Sequence, residues 1–265
     1  MRDQQDFKPT PKNWKVLLGT PMLLGALVFP GSAVFAVDES PSPSASPSSS
    51  ASPWVSPSPE VSILPVTEDT TRIPLYDIDS ASSLQVVVNK KRPLNPITYT
   101  ATRKVQIGYS WVAKPAAEAY GQLKAAVSAK KLGTLCINSG YRSFNSQTLI
   151  HDAKVALLGK TAGEKLAARP GYSEHQTGLA MDVSTTQLGC RIGSFGASKA
   201  SKWIAANAWQ YGFVVRYPNG KTAITGYVWE PWHLRFVGVD LATQMQSKKI
   251  ATLEEYFALP AAPKY

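Results

Sequence analysis

Residues 170–183 read P-G-Y-S-E-H-Q-T-G-L-A-M-D-V, and the function of the chain is best approached from this stretch. It places His175 and Asp182 seven residues apart. One is a neutral nitrogen donor and the other an anionic oxygen donor, and zinc accepts both. Residues 178–183 are typical of a short strand entered through a glycine turn. Because the loop before a strand and the end of that strand can converge on one ion, the stretch predicts a metal site with a third ligand elsewhere.

The stretch E-P-W-H at residues 230–233 supplies that ligand. His233 completes a set of three with His175 and Asp182, and three protein ligands leave a fourth position for water, as in catalytic zinc sites. Glu230 lies three residues before His233, so we expect it to act as general base on the zinc-bound water and to return the proton to a leaving amine. The pattern predicts metal-assisted hydrolysis of a peptide-type bond.

Several of these residue types also have structural interpretations. A core histidine or an exposed aspartate is the commoner explanation of one histidine and one aspartate at this spacing, but two of the three histidines in the chain fall in the two motifs. The remaining one, His151, stands beside Asp152 in a predicted helix and is interpreted as a surface residue. Trp229 and Trp232 are either core residues or walls of a substrate site. Arg142, in a loop after a predicted strand, is either half of a structural ion pair or an anion clamp.

The pattern of apolar residues favours an α+β fold, because helices and strands mix without a regular βαβ alternation. Helices are predicted at residues 115–131, 144–158, 164–168, 198–211 and 239–248, and strands at residues 84–94, 134–138, 178–183, 212–217 and 227–237.

The two cysteines, Cys136 and Cys190, are far apart in sequence. In an oxidising compartment such a pair indicates one disulfide. Thiolate catalysis or zinc ligation is the alternative, but neither cysteine has a histidine or second cysteine at ligand spacing.

The first 36 residues have the order of a secretory signal. Four basic residues precede an apolar run at 16–37, and residues 34–36 offer a cleavage site. The densest apolar part, 22–29, is short for a membrane span, which needs roughly 20 residues. An uncleaved membrane anchor is the alternative.

The remaining chain divides by composition. Residues 37–83 form a spacer and lead-in, with an almost pure Pro/Ser/Ala tract at 41–59 that cannot bury enough apolar surface to fold. We expect the folded domain at 84–258 and a tail at 259–265. Without the first 36 residues the chain keeps 24 basic and 16 acidic side chains, a net charge of +8. That charge favours anionic polymers such as a cell wall, although plain solubility explains it almost as well, and no Arg-rich or aromatic-interleaved stripe indicates nucleic acid.

Three stretches resemble the VanY-type D-alanyl-D-alanine carboxypeptidases. They are S-G-Y-R-S at 139–143, S-E-H-Q-T-G-L-A-M-D at 173–182 and E-P-W-H at 230–233. This family belongs to the zinc peptidase superfamily that includes the D-Ala-D-Ala metallopeptidases, lysostaphin and the hedgehog signalling domain. The resemblance covers about residues 84–257, and three motifs in the family order make it specific.

The resemblance implies a small antiparallel sheet flanked by helices, with the zinc site at the sheet. It implies that His175, Asp182 and His233 hold zinc and that Glu230 is the base. Arg142 matches the family arginine that helps to stabilise the polarised substrate carbonyl.

The resemblance further implies that Ser173 and Gln147 help to hold the terminal D-alanine, and Trp232 is our own candidate for a wall of the same site. The implied reaction removes the last D-alanine from peptidoglycan stem peptides. We expect a monomer by default, and the signal-like first 36 residues predict a protein that is secreted or associated with the cell wall. Two alternatives stay open: an L,D-carboxypeptidase or endopeptidase with the same site, and a non-catalytic module that binds wall peptides. Glu230 argues against the second, because a binding module needs no base.

Overall fold

The structure is a computed structural model that describes residues 76–265. The predicted signal or anchor and the Pro/Ser-rich tract therefore lie outside the described residues. Within the described part, no helix has the length and hydrophobicity needed to cross a membrane.

The fold is α+β, as predicted, with a four-stranded antiparallel sheet at its centre. The strands are β1 (Lys104–Ile107), β2 (Ser110–Ala113), β3 (Leu135–Ser139), β4 (Ala180–Thr185), β5 (Phe213–Tyr217) and β6 (Glu230–Phe236). The helices are α1 (Lys114–Ala129), α2 (Phe144–Leu158), α3 (Lys160–Gly163), α4 (Lys199–Asn207), α5 (Thr222–Thr225), α6 (Val239–Ser247) and α7 (Leu253–Tyr256). The central sheet has the order β3-β4-β6-β5, and β1 and β2 form a separate hairpin.

The main core lies between this sheet and helices α1 and α4. Helix α1 presents a buried stripe that includes Leu123 and Val127, and its Tyr120 hydroxyl donates a hydrogen bond to the Leu135 carbonyl of β3 at 2.8 Å. Every residue of β4 is buried because the strand is central in the sheet and covered on both faces. A strand held this firmly is a rigid platform for polar side chains that must keep a fixed geometry.

Most predicted elements are confirmed, and α2 begins and ends where the sequence places it. The Ser143 hydroxyl accepts a hydrogen bond from the Ser146 backbone N–H and so caps this helix. The helix predicted at 164–168 is wrong, because α3 ends at Gly163, before Glu164. The β1–β2 hairpin and α7 were not predicted.

The strand predicted at 84–94 is also wrong. Apart from an isolated bridge between Asn89 and Arg92, this segment does not pair as a strand. Its three consecutive valines are nonetheless buried. The carbonyls of Leu84 and Val86 accept hydrogen bonds from the Arg235 side chain, so the segment satisfies part of its backbone without a neighbouring strand.

The packed region extends beyond the predicted limits of 84 and 258 at both ends. Tyr76 packs edge-on against Tyr256, with ring centroids 6.4 Å apart. In the predicted tail, Ala262 is fully buried and the Tyr265 ring lies 5.1 Å from that of Tyr172. Both flanking segments therefore belong to the folded domain.

The predicted disulfide between Cys136 and Cys190 is present and spans 54 residues. It connects β3 to the loop that follows β4. The Asn138 side chain donates a hydrogen bond to the Cys190 carbonyl at 2.6 Å in the same place.

Candidate active site

Asp182 and His233 are directly opposite one another on the paired strands β4 and β6. Opposite residues in an antiparallel pair have adjacent side chains on one face of the sheet, with Cβ atoms about 5 Å apart. His175 reaches the same point from a 3-10 turn, Glu174–Thr177, that leads into β4. Gly178 ends the turn with φ +72°, and an added Cβ would lie 3.1 Å from the Ala113 backbone nitrogen. Glycine is needed there to bring the turn back into the strand.

Glu230 and His233 share this face because the pairing of β5 with β6 is irregular. In a regular strand, residues three apart point to opposite faces. Here Val215 pairs with Leu234 and Tyr217 pairs with Glu230. Between these two pairs the chain moves two residues along β5 but four residues along β6. The extra length in β6 is a bulge-type irregularity, and such irregularities redirect side chains next to active sites.

The three predicted ligands converge. Their donor atoms lie within 4.8 Å of one another, and all three residues are buried. His175 Nε2 is 3.4 Å from Asp182 Oδ2, and His233 Nδ1 is 3.3 Å from Asp182 Oδ1. Asp182 Oδ1 is nevertheless a buried oxygen that accepts no hydrogen bond from any described residue. A buried carboxylate with one oxygen facing each imidazole, and one of those oxygens without a hydrogen bond, fits a zinc ion held by the three residues.

The two histidines have opposite protonation preferences. Burial, with Arg142 next, lowers the pKa of His175 to about 4. Burial also lowers the pKa of His233, but Asp182 and Glu174 outweigh it and raise that pKa to about 9. Without metal at neutral pH, His175 is therefore neutral and His233 carries a proton on each ring nitrogen.

Glu230 lies beside the ligands, with Oε2 3.7 Å from His233 Nδ1. Its side chain is only 10% exposed. Burial raises the pKa of Glu230 to about 7, although the positive charge of His233 opposes the shift. A carboxylate with a pKa near neutrality can both take and return a proton at physiological pH.

Arg142 is at the centre of the hydrogen bonds around the ligands. Its Nη2 lies 2.9 Å from both Asp182 Oδ2 and His175 Nε2. Its Nη1 donates to Gln147 Oε1 at 3.0 Å, and its Nε donates to Ser139 Oγ at 2.9 Å. Of the two interpretations of Arg142, the structure shows an ion pair, and the pair is with a metal ligand.

The other predicted residues differ in how they meet the site. Gln147 is fully buried, and its Nε2 donates to the Ala168 carbonyl at 2.7 Å, so both ends of its amide hold protein groups. Ser173 is buried at the start of the turn that carries His175. Trp232 packs against the main core. For these three residues, contact with substrate stays a prediction.

Trp229 and His151 lie apart from the ligands. Trp229 is 45% exposed and lines a groove to which no metal donor contributes within the described range. His151 is half-buried rather than on the surface, so that prediction is wrong. Its Nδ1 lies 2.9 Å from Asp152 Oδ1, and its Nε2 lies 3.8 Å from Glu164 Oε1.

Sequence reasoning missed a group of buried charges next to His233. Glu174, Arg216, Arg235 and Glu254 are almost completely inaccessible to solvent. Burial raises the pKa of Glu174, but Arg216 and Arg235 reverse the effect and hold that pKa far below its usual value. The available signal was an arginine beside apolar residues in each of two strands, Arg216 in β5 and Arg235 in β6, since an unpaired buried charge is prohibitively costly.

Comparisons with known proteins agree with this geometry. A family model described as VanY, D-alanyl-D-alanine carboxypeptidase, matches residues 109–239. A putative carboxypeptidase, YodJ of Bacillus subtilis (strain 168), is 44% identical over 163 residues, which are 61% of this chain and 58% of that protein. The chain therefore spans somewhat more than half the length of this curated relative.

Two solved structures are similar over most of their length. The LdcB LD-carboxypeptidase matches with a TM-score of 0.62 and 38% identity, covering 67% of this chain and 87% of that one. A mutant of the vancomycin-resistance D,D-pentapeptidase VanY in complex with Zn(II) matches with a TM-score of 0.57 and 31% identity, covering 67% and 99%. With the His/Asp/His cluster, the second match identifies zinc as the cofactor.

Proposed function

Because the chain belongs to the VanY family of D-alanyl-D-alanine carboxypeptidases, we propose that it hydrolyses the terminal D-Ala-D-Ala bond of peptidoglycan stem peptides. The observation that carries the proposal is the position of Glu230. Its nearly buried carboxylate lies beside three metal donors and has a pKa of about 7. A module that only binds wall peptides has no use for a base in this place.

His175, Asp182 and His233 would hold the zinc ion. Bound there, zinc polarises a substrate carbonyl and makes water a better nucleophile near neutral pH. Glu230 takes a proton from the attacking water as the new C–O bond forms. As the C–N bond breaks, Glu230 returns that proton to the amino group of the departing D-alanine, so the carboxylate is regenerated.

Arg142 would stabilise the negative charge that develops on the carbonyl oxygen. His175 Nε2 has a single lone pair, so it cannot accept the hydrogen bond from Arg142 and bind zinc at once. With His175 Nε2 committed to zinc, an Nη2 hydrogen of Arg142 would be available to the substrate. Gln147 and Ser139 keep the guanidinium in place through Nη1 and Nε. Preorganised donors of this kind are among the largest contributions to catalysis.

An L,D-carboxypeptidase is the second candidate, and one observation favours it: the similar structure with a TM-score of 0.62 is an LD-carboxypeptidase. The zinc ligands and the base serve both reactions equally. We further propose that the protein is exported and acts at the cell wall. This rests on the signal-like first 36 residues and on the positive charge of the remaining chain.

Purified full-length protein tests the proposal directly. It is loaded with zinc and given synthetic stem peptides that end in D-Ala-D-Ala or in a single D-alanine after an L-centre, and products are followed by mass spectrometry. We expect release of one D-alanine from the first peptide, abolished by a zinc chelator and by Glu230→Gln. Glu255→Gln, a substitution in helix α7, is the matched control and should retain activity.

Preferential cleavage of the second peptide would replace the D,D assignment with the L,D one. Zinc binding without cleavage of any stem peptide would contradict the enzyme and favour the binding module.

A further inference from the structure

The imidazole of His233 has a partner on the side away from the metal donors. Its Nδ1 faces Asp182 and Glu230, whereas its Nε2 lies 3.3 Å from Glu174 Oε2, within hydrogen-bonding distance. Glu174 is fully buried and comes from the same turn as His175. One carboxylate therefore connects the turn that supplies the first ligand to the strand that supplies the third.

Glu174 is itself held by two buried arginines. Its Oε1 accepts a hydrogen bond from Arg216 Nε at 2.7 Å and from Arg235 Nη1 at 2.9 Å. A carboxyl group in contact with two guanidinium groups in the interior is ionised, because the arginines cannot lose their protons. An ionised carboxylate can only accept hydrogen bonds.

The arginines are in turn fixed by segments far away in the sequence. Arg216 makes a two-pronged contact with Glu254, at 2.7 and 2.9 Å, and Asn89 Nδ2 donates to the same carboxylate at 2.9 Å. Arg235 donates to two backbone carbonyls of the segment 84–86. Two carboxylates thus balance two guanidinium groups, and the set is neutral.

We propose that Glu174 is a positioning residue for the metal: it accepts the Nε2 hydrogen of His233 and so fixes the tautomer whose Nδ1 lone pair points at the zinc site. This inference deepens the proposed zinc site. His175 has the opposite tautomer. Its Nδ1 lies 2.7 Å from the Gly140 carbonyl, which can only accept a hydrogen bond, so Nδ1 carries the proton and Nε2 is left for the metal. The two histidines therefore bind through different ring nitrogens.

Asn89 and Glu254 both lie outside residues 109–239, the part matched by the family model. The network of buried charges around Glu174 therefore includes segments that flank the matched region, whereas the contact with His233 is made by Glu174 alone. Carboxylate partners of metal-bound histidines raise ligand basicity and fix ring orientation, and their loss typically costs about 10- to 100-fold in metal affinity.

Glu174→Gln is the direct test, with zinc affinity measured by competition against a chromophoric chelator in the absence of substrate. The glutamine amide has one acceptor oxygen for the two arginines, so its NH₂ group faces His233 Nε2 and favours the wrong tautomer. We expect zinc affinity to fall about 10- to 100-fold. Unchanged affinity in a folded Glu174→Gln protein would overturn the proposal.

Glu254→Gln is the matched control. Glu254 is equally buried and pairs with Arg216, but its hydrogen bonds go to Arg216 and Asn89 and not to His233. We expect this variant to lose stability and to keep its zinc affinity. An equal loss of affinity in both variants would show that the effect comes from general destabilisation, and would also overturn the proposal.

A measurement on the unmodified protein covers the case in which Glu174→Gln does not fold. Long-range ¹H–¹⁵N correlation spectra of the zinc-loaded protein distinguish the two nitrogens of each imidazole. We expect the proton on Nε2 in His233 and on Nδ1 in His175, and the reverse for His233 would refute the inference. Neither readout involves substrate, so a failure of the proposed hydrolysis and a failure of this inference are separate results.

Discussion

Lowering the pH should weaken zinc binding steeply, because His233 must lose a proton before it can act as a ligand. Its pKa is raised to about 9, whereas that of His175 is lowered to about 4 and that of Asp182 lies well below its usual value. Between these limits the three ligands together lose one proton when zinc binds, the one on His233 Nδ1. The apparent affinity therefore changes about tenfold per pH unit, or roughly 100-fold between pH 8 and pH 6.

The direction of this pH effect follows from the protonation of the metal-free protein. A group with a raised pKa holds its proton at neutral pH, so metal and proton compete, and the competition grows as the pH falls. A hundredfold loss corresponds to about 2.7 kcal/mol of binding free energy.

Two measurements check this prediction. Competition titrations at several pH values give the slope, and calorimetry in buffers of different ionisation enthalpy gives the number of protons released. Both are repeated with Glu230→Gln, because Glu230 has a pKa of about 7 and can release a proton of its own when zinc binds beside it. An affinity that is flat between pH 6 and pH 8, or a release of two protons at pH 7, would refute the assignment of these protonation states.

Three further predictions concern catalysis and stability. Arg142→Lys should lower kcat of the zinc-saturated protein by about 10²- to 10³-fold, because a lysine offers a single charged point in place of a fork of donors; steady-state kinetics at saturating zinc measure this, and the chelator assay records any loss of zinc affinity separately. Replacing Cys136 and Cys190 by serine should lower the free energy of unfolding by about 4 kcal/mol in urea titrations, since the disulfide closes a 54-residue separation. Leu234→Ala should cost about 2–5 kcal/mol, because this fully buried side chain lies in the central strand β6.

The metal site could be predicted from sequence because its residues lie in two short stretches of the chain. His175 and Asp182 lie at the two ends of one short stretch, and Glu230 and His233 share another. Neither pair is specific alone, but two of the three histidines of the chain fall in these two stretches. Helix α2 could also be predicted from local sequence, because Ser143 caps its first turn.

The buried charges could not be found in this way. Glu174 contacts Arg216, which is 42 residues away in sequence, and Arg235, which is 61 residues away. The local sequence pattern does not predict a partner at such separations. The segment 84–94 failed for a related reason. A run of apolar residues indicates that a segment is buried. It does not indicate whether the backbone carbonyls accept hydrogen bonds from a neighbouring strand or from an arginine side chain.

The irregular pairing of β5 with β6 has a consequence for how this chain tolerates change. Glu230 and His233 share a face where β6 contributes two more residues than its neighbour, between the pairs Val215–Leu234 and Tyr217–Glu230. Deleting one residue there would change the spacing of Glu230 and His233, and with it the 3.7 Å approach of Glu230 Oε2 to His233 Nδ1, without removing either side chain. The relative position of the two residues thus depends on the number of residues between them, so a survey of variants that records substitutions alone would miss this determinant of the site.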